Sequence, residues 1–331
     1  MAITAQDVKK LRDLTNAGMM DCKKALTEAN GDFERARDIL REKGLAVAAK
    51  RADHEASEGV AMGKVSADGK FGAAIILNSE TDFVAANEKF IALANSILDV
   101  AVAQRPADLA ALKALKMDGA TVEEKVAELV GVIREKMEIS AFQTVAAEKV
   151  ACYIHMNRKI AALVGFNQNV DDEAGKNVAI QVATMSPVAV DRNAVPQATI
   201  DNELTVAIEK TKEEQVSKAV EAALKKAGLN PAWFDSEEHI DSNLSKGWFT
   251  EAQAAQAREI KATVGAQAAA NIKEDMVQNI AKGRLNKFFK ESTLVEQEYV
   301  MGDEKGQTVG QYLAKINKDL KPTAMVRLAL A

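Results

Sequence analysis

The hydrophobic and polar positions of the first 45 residues follow the pattern of three short amphipathic helices. Thr4 and Asp7 form a capping-box pattern before the first helix, Asn30-Gly31 is expected to end the second, and Asp32 to cap the third, with Gly44 at its end. Apolar residues recur three or four positions apart in each helix, at Val8, Leu11 and Leu14, at Cys22, Ala25, Leu26 and Ala29, and at Phe33, Ala36 and Leu40. Because so short a segment buries only a small core, residues 1–50 are predicted to form a helical module, joined to the body by the polar segment 50–58.

Strand patterns begin after this segment. Residues 60–65 and 71–77 flank Asp68-Gly69, a turn signal that predicts a β-hairpin. Residues 107–139, rich in Ala, Lys and Glu, are expected to add one or two short helices. Between the hairpin and residue 107, a longer helix is predicted from the apolar face Phe90, Ala94, Ile97 and Ala101. This helix should end before Pro106.

The same order of elements returns about 90 residues later. Residues 150–154 and 160–166 predict a second hairpin, and residues 173–185 a helix after it. The paired segments match as in a diverged internal repeat, with Val60-Ala61 against Val150-Ala151 and Ala73-Ala74-Ile75 against Ala161-Ala162-Leu163. A last strand, which should join the second sheet, is predicted from the alternation of Val326, Leu328 and Leu330 with their neighbours.

Residues 198–290 interrupt the second unit with a charged, helical pattern. A coiled-coil-like hairpin of two antiparallel helices is predicted, with its turn at either 228–231 or 241–247. Its apolar positions are Leu204, Ile208, Val216 and Val220 on the way out and Ile272, Met276 and Ile280 on the return. The predicted fold class is therefore α+β: an N-terminal three-helix module (1–50), two pseudo-repeated αβ subdomains with antiparallel sheets (56–140, and 141–197 with 291–331), and a helical-hairpin insert (198–290).

Composition limits the classes of function. A chain of 331 residues exceeds one hydrophobic core, and 47% hydrophobic with 27% charged residues is typical of globular proteins. The formal net charge of −5 provides no overall positive field, so direct binding of nucleic acid is not expected. Residues 1–52 carry 11 Lys and Arg against 8 Asp and Glu. We interpret this excess of positive charge as a solvated helix surface, in preference to a nucleic-acid patch.

Cysteine and hydropathy patterns bear on the compartment. Cys22 and Cys152 are far apart and form no CxxC, which favours neither a zinc cluster nor a disulfide framework. No apolar stretch approaches the ~20 residues that span a bilayer, and the first residues read as a polar helix. We therefore expect a cytoplasmic protein with no membrane contact.

Motifs for catalysis are missing from the sequence. No GxxxxGK[ST] loop occurs, so the chain is not expected to be a GTPase, and no cofactor is predicted. His54, His155 and His239 are scattered and form no HExxH, so neither a metal site nor a catalytic pair is indicated. His155 follows a predicted strand, where a structural or interface role is the expectation.

The segment from Asn78 to Val84, NSETDFV, is the most informative for function because it joins an apolar strand to a helix. In one interpretation, Asp82 caps the helix and Phe83 folds back over the core. In the other, Phe83 is an aromatic wedge beside the Asp82 carboxylate on a rigid rim, suited to opening another protein's surface.

Residues 11–26, LRDLTNAGMMDCKKAL, closely resemble the N-terminal signature of the elongation factor Ts family, and Thr81-Asp82-Phe83-Val84 resembles its second signature. The similarity extends to Tyr153-Ile154-His155 with Arg158, to residues 283–289 and to Thr308-Val309-Gly310. The chain departs from the family at Ile76, where Glu is frequent, at Ala86, where a basic residue is usual, and at Met156-Asn157, where glycines are common.

The resemblance implies a non-enzymatic factor that binds the GTPase elongation factor Tu, GDP-bound or nucleotide-free, and speeds its release of GDP. An N-terminal module similar to a ubiquitin-associated fold would dock on the partner's nucleotide-binding domain, while Asp82 and Phe83 would intrude near the partner's switch region and disturb its Mg²⁺ site. A structural or RNA-associated adaptor without exchange activity is the alternative. The further residues that the resemblance assigns to partner contact are Asn78, Thr81, Val84, His155 and, in the module, Leu11, Arg12, Thr15, Gly18, Met19 and Lys23.

Overall fold

The fold is α+β, as predicted, and consists of two compact units. A computed structural model describes residues 3–15, 17–302 and 304–330. One unit comprises the described residues of Met1–Val190 and Leu294–Ala331, and the other is Asp191–Thr293. Within the described residues, no helix combines the length and the apolar composition needed to cross a membrane.

The N-terminal module contains the three predicted helices, α1 (Ala5–Thr15), α2 (Met19–Glu28) and α3 (Phe33–Lys50). The backbone N–H of Thr4 donates to Asp7 and that of Asp7 to the Thr4 hydroxyl, which is the predicted capping box. Asp32 caps α3 by accepting from two backbone N–H groups. The small core lies among Val8, Leu11, Cys22, Ala25, Leu26, Ala29, Ala36 and Ile39.

The first sheet has the strand order β1-β2-β5, and all its pairs are antiparallel. Its strands are β1 (Glu58–Val65), β2 (Phe71–Ser79) and β5 (Met137–Ala146), and a small ribbon of β3 (Lys116–Met117) and β4 (Ala120–Thr121) lies between them in sequence. The connecting helices are α4 (Asp82–Ala85), α5 (Glu88–Gln104), α6 (Leu109–Ala114) and α7 (Val122–Ile133). The predicted face of α5 is fully buried against the sheet.

The prediction of short helices over residues 107–139 is wrong at the C-terminal end of this range, where β5 begins at Met137. Met137 and Ile139 are buried while Glu138 is exposed, but this alternation breaks where the pairing with β2 shifts register between Ile76 and Leu77. So short an alternating run is weak as a strand signal. The predicted subdomain limit at 140/141 falls inside this strand.

Gly44 does not end α3, contrary to the prediction, because the helix continues to Lys50. A Cβ on Gly44 would lie 2.9 Å from the carbonyl oxygen of Ala127 in α7, so the glycine permits a close helix crossing instead of a C-terminal stop.

The prediction that Leu14 belongs to the apolar face of α1 is wrong, because Leu14 is 61% exposed. The segment after α3 begins with a turn at residues 51–54.

The second sheet begins with the predicted hairpin, β6 (Lys149–Ile154) and β7 (Ile160–Phe166), followed by α8 (Asp172–Met185). Asp171 caps α8 by accepting from the backbone N–H groups of Glu173 and Ala174. Val178 and Val182 of α8 are fully buried among residues of this sheet.

The insert has one long helix, α9 (Gln197–Lys226), and its return is divided among α10 (Glu237–Ser245), α11 (Glu251–Ala270) and α12 (Glu274–Ser292). The prediction of two helices around one turn is therefore wrong: α11 and α12 both pack on α9. Gly228 and Gly247 both have positive φ, so both candidate turns are used, on either side of α10. Met276 is exposed, and its neighbour Val277 takes the buried position.

The chain returns to the first unit with α13 (Val309–Ile316) and β8 (Pro322–Ala329). Strand β8 joins the second sheet, as predicted, by pairing with β7. The second sheet thus has the order β6-β7-β8, so in each sheet the second strand in sequence is central. The two sheets share an apolar cluster that includes Ile76, Leu163, Val326 and Leu328. Helices cover their other faces, α5 and α7 on the first sheet and α8 and α13 on the second.

Candidate protein-interaction site

The turn between β2 and α4 presents Asp82 and Phe83 to solvent. Thr81, not Asp82, is the N-cap of α4, since its hydroxyl accepts from the backbone N–H of Val84 at 3.4 Å. The Phe83 side chain is 84% exposed and does not cover the core. The interpretation of this pair as a helix cap and a core cover is therefore wrong.

Residues on both sides of the pair are anchored. The Ser79 hydroxyl donates to the carbonyl of Thr81 at 2.9 Å, and the Thr81 hydroxyl donates to the Glu135 carboxylate at 2.9 Å. Val84 is buried in the core beneath the first sheet's helices. A single exposed apolar side chain is ordinary on a protein surface, but here Phe83 is held beside a carboxylate on a short, firmly attached turn.

Asn78 and Val84 differ from the other residues of this turn that are assigned to partner contact, because both are buried. Asn78 donates to the carbonyl of Glu58 at 3.2 Å and accepts from the hydroxyl of Ser140. Its hydrogen-bonding groups are therefore engaged in joining β2 to its two neighbouring strands. These two side chains support the turn from below, whereas Asp82 and Phe83 are exposed to a partner.

Glu80 lies at the base of the turn and accepts from three residues in two other parts of the chain. One guanidinium nitrogen of Arg51 is 2.8 and 3.0 Å from its two carboxylate oxygens, His54 Nδ1 is 3.3 Å away, and the backbone N–H of Lys136 donates at 2.5 Å. Burial acts to raise the pKa of Glu80, but these hydrogen bonds outweigh it and hold the pKa below its usual value. Sequence reasoning missed this cluster because no spacing connects residues so far apart in the chain.

The N-terminal signature separates into a buried and an exposed set. Leu11 is fully buried, and the Thr15 hydroxyl donates to the Leu11 carbonyl at 2.8 Å, so these two residues stabilise the module itself. Gly18 is the N-cap of α2. The exposed side chains are the three cations Arg12, Lys23 and Lys24, the carboxylate of Asp13, and the apolar residues Leu14, Met19 and Met20.

A groove of about 350 Å³ lies between the module and α7. Thr15 and Gly18 open onto it together with Leu14. Its walls are joined by ion pairs, with Arg41 Nε 3.1 Å from Glu128 and Arg134 3.7 Å from Asp21. The signature therefore borders the contact between module and core, as well as the outer surface of the module.

His155 directly follows β6, and its backbone N–H donates to the carbonyl of Ile160 to close the hairpin turn. Its Nδ1 is 3.0 Å from the Tyr153 hydroxyl, and the two rings meet edge to face. The side chain is half buried, whereas the next residue, Met156, is 90% exposed. At this turn Met156 offers an exposed apolar side chain, and His155 is held by its neighbours.

The other departures from the family pattern occupy different environments. Ile76 lies in the apolar cluster between the sheets, and Ala86 is exposed at the C-cap of α4. Among the residues that the structure describes, no three His, Cys, Asp or Glu side chains are grouped so that they could hold a metal ion.

Comparison with known proteins places the chain among the translation elongation factors. The family model described as Elongation factor TS matches residues 80–331. Proteins named Elongation factor Ts from Bacteroides thetaiotaomicron and Bacteroides fragilis are 50% and 51% identical over 331 residues, which is all of this chain and 99% of each relative. A protein of the same name from Porphyromonas gingivalis is 36% identical over the same length and coverage. The chain belongs to the elongation factor Ts family.

Proposed function

We propose that this protein binds elongation factor Tu and promotes the release of its GDP, so that GTP can rebind. The observation that carries the proposal is the exposed Asp82-Phe83 pair on an anchored turn, in a chain of the elongation factor Ts family. In this account the protein is not an enzyme. It changes the affinity of its partner for a nucleotide and makes or breaks no covalent bond itself.

Phe83 is suited to act as a wedge. An aromatic side chain gains free energy when it leaves water for an apolar seam of a partner, and such anchors dominate many interfaces. Because the turn is held by Ser79, Thr81 and Val84, little conformational entropy is lost on insertion. The energy of insertion is then available to displace groups of the partner.

Asp82 supplies a negative charge beside the wedge. Mg²⁺ requires near-ideal octahedral geometry, so a carboxylate pushed toward the partner's ion would disturb its oxygen ligands. With the ion less well held, the phosphates of GDP lose part of their neutralising charge. GDP is then expected to dissociate faster.

The binding of the factor to elongation factor Tu and the binding of GDP to elongation factor Tu are thermodynamically linked. If the factor weakens GDP binding by some ratio, GDP weakens binding of the factor by the same ratio. Affinity for the partner must therefore come largely from surface outside the wedge. The exposed Arg12, Met19 and Lys23 of the module and the turn after His155 are the surfaces we assign to it.

Displacement of fluorescent GDP from elongation factor Tu tests the proposal. The protein should accelerate release, and Asp82→Asn should slow release while complex formation with nucleotide-free Tu is retained. Asp275→Asn, an exposed carboxylate in the first turn of α12, is the matched control and should behave as wild type.

Release at the spontaneous rate in the presence of the wild-type protein would contradict the proposal. Binding of RNA that falls steeply with ionic strength, without accelerated release, would favour an RNA-associated adaptor instead. A cytoplasmic location accompanies the proposed function and stays a prediction.

A further inference from the structure

We propose that Glu80 is a positioning residue, which ties the segment after α3 and the start of β5 to the turn and so sets the direction in which Phe83 projects. The inference rests on the proposed function, because it concerns how the wedge is aimed. Glu80 itself is not expected to touch the partner.

The contacts of Glu80 join three parts of the chain that are distant in sequence. Arg51 and His54 lie in the turn that follows α3, and Lys136 directly precedes β5. The side chains of Glu80 and Arg51 are 18% and 29% exposed, so solvent screens their ion pair less than a pair on the open surface. Charge-assisted hydrogen bonds of this kind are stronger than neutral ones.

Lys136 closes the network from the other side. Its backbone N–H donates to Glu80, and its ammonium donates to the carbonyls of Ala52 at 2.8 Å and His54 at 2.9 Å. The turn at residues 51–54 is therefore held both by the carboxylate of Glu80 and by the side chain of Lys136. Removing the Glu80 charge would leave this turn attached to Lys136 but without its ion pair to the residue that follows β2.

The position of Glu80 gives these contacts a functional consequence. Only Thr81 separates it from Asp82. The other hydrogen-bonding anchors of the turn are the Ser79 hydroxyl, which donates to the carbonyl of Thr81, and the Thr81 hydroxyl, which contacts Val84 and Glu135. Glu80 is thus the residue that connects the turn to the end of α3. Since Arg51 directly follows α3, a displacement of the N-terminal module would act on the base of the wedge through one carboxylate.

The test compares Glu80→Gln, Arg51→Gln and the double variant in displacement of fluorescent GDP from elongation factor Tu. Two quantities are measured: the maximum release rate at saturating factor, and the factor concentration that gives half of it. Each single variant should lower the maximum rate about 5-fold with little change in the half-saturating concentration, and the double variant should be no slower than the slower single variant. Arg51→Lys, which retains the charge, should restore most of the rate.

Glu148→Gln serves as the control, because it removes an exposed carboxylate paired with Lys70 elsewhere in the same unit. It should leave both quantities at wild-type values. If Glu80→Gln does not fold, Arg51→Gln and Arg51→Lys carry the comparison alone, each assayed below its melting temperature.

Wild-type maximum rates in the Glu80 and Arg51 variants, together with slow release by Phe83→Ala, would overturn the positioning role and leave the proposed function standing. A lower melting temperature with an unchanged maximum rate would likewise reduce Glu80 to a purely structural residue. Normal release by Phe83→Ala would contradict the wedge on which this inference rests, whereas release at the spontaneous rate with the wild-type protein would contradict the proposed function itself.

Discussion

Gly44 of α3 and Gly131 of α7 face each other where the two helices cross. A Cβ on Gly131 would lie 2.7 Å from the Cα of Gly44, which is closer than packed atoms approach. Backbone meets backbone at this point because neither residue has a side chain. Val47 and Ala48 of α3 pack against the core of the first sheet, so the crossing attaches the N-terminal module to the body.

Replacing Gly131 by Ala is expected to destabilise the protein. Ala gains about 1 kcal/mol over Gly in a helix, but the overlap at the crossing should cost about 1 to 3 kcal/mol or more. Gly283→Ala in α12, where a Cβ has open space, is the matched control and should stabilise the protein. Urea unfolding of both variants measures the difference, and equal stabilisation by the two substitutions would refute the close crossing.

Much of the fold could be predicted because local signals agree with it. The caps at Thr4 and Asp32, the breaker at Asn30-Gly31 and the alternation around Val326 each act within a few residues of the chain. Such signals place helix starts, turns and strands without knowledge of distant partners.

The errors arose where a distant contact decides the structure. Gly44 has the chemistry of a helix end, and only its crossing with α7 explains a glycine inside a helix. Strand β5 depends on pairing with β2, and the tip of the insert depends on packing of Phe234 against Phe249, whose ring centroids are 4.4 Å apart. In the candidate site, the exposure of Phe83 and the partners of Glu80 likewise follow from tertiary packing.

The tip of the insert, residues 227–250, should be dispensable for exchange. Its apolar residues Phe234, Ile240 and Phe249 share a small core with Leu224 of α9 and with Ala254 and Ala257 of α11. Replacing it with a short turn between α9 and α11 should preserve most of the accelerated GDP release, because the proposed wedge lies in the other unit. Both tryptophans, Trp233 and Trp248, lie in this tip, so loss of tryptophan fluorescence verifies the replacement. A correctly folded variant that released GDP only at the spontaneous rate would assign exchange to the insert.

Cys152 should make stability fall at alkaline pH. Burial raises the pKa of its thiol from 9.0 to about 12, and the sulfur lies close to Gly63 between the sheets. Between these two pH values the unfolded thiol loses its proton while the folded thiol keeps it, so the unfolded state binds fewer protons and the free energy of unfolding decreases as pH rises. Cys152→Ala should lose less stability than wild type between pH ~9 and ~11 in urea unfolding. Parallel losses in the two proteins would show that another group is responsible.

The central claim is that Phe83 acts on the partner, and the rate of fluorescent GDP release from elongation factor Tu with Phe83→Ala tests it most directly. Loss of a buried aromatic anchor costs about 2 kcal/mol, so accelerated release at subsaturating factor should fall roughly 30-fold. The melting temperature should stay near that of wild type, because the side chain is exposed in the free protein. Ile316→Ala, which truncates an exposed apolar side chain at the end of α13, should leave the release rate unchanged. Release at the wild-type rate by a folded Phe83→Ala protein would contradict the account.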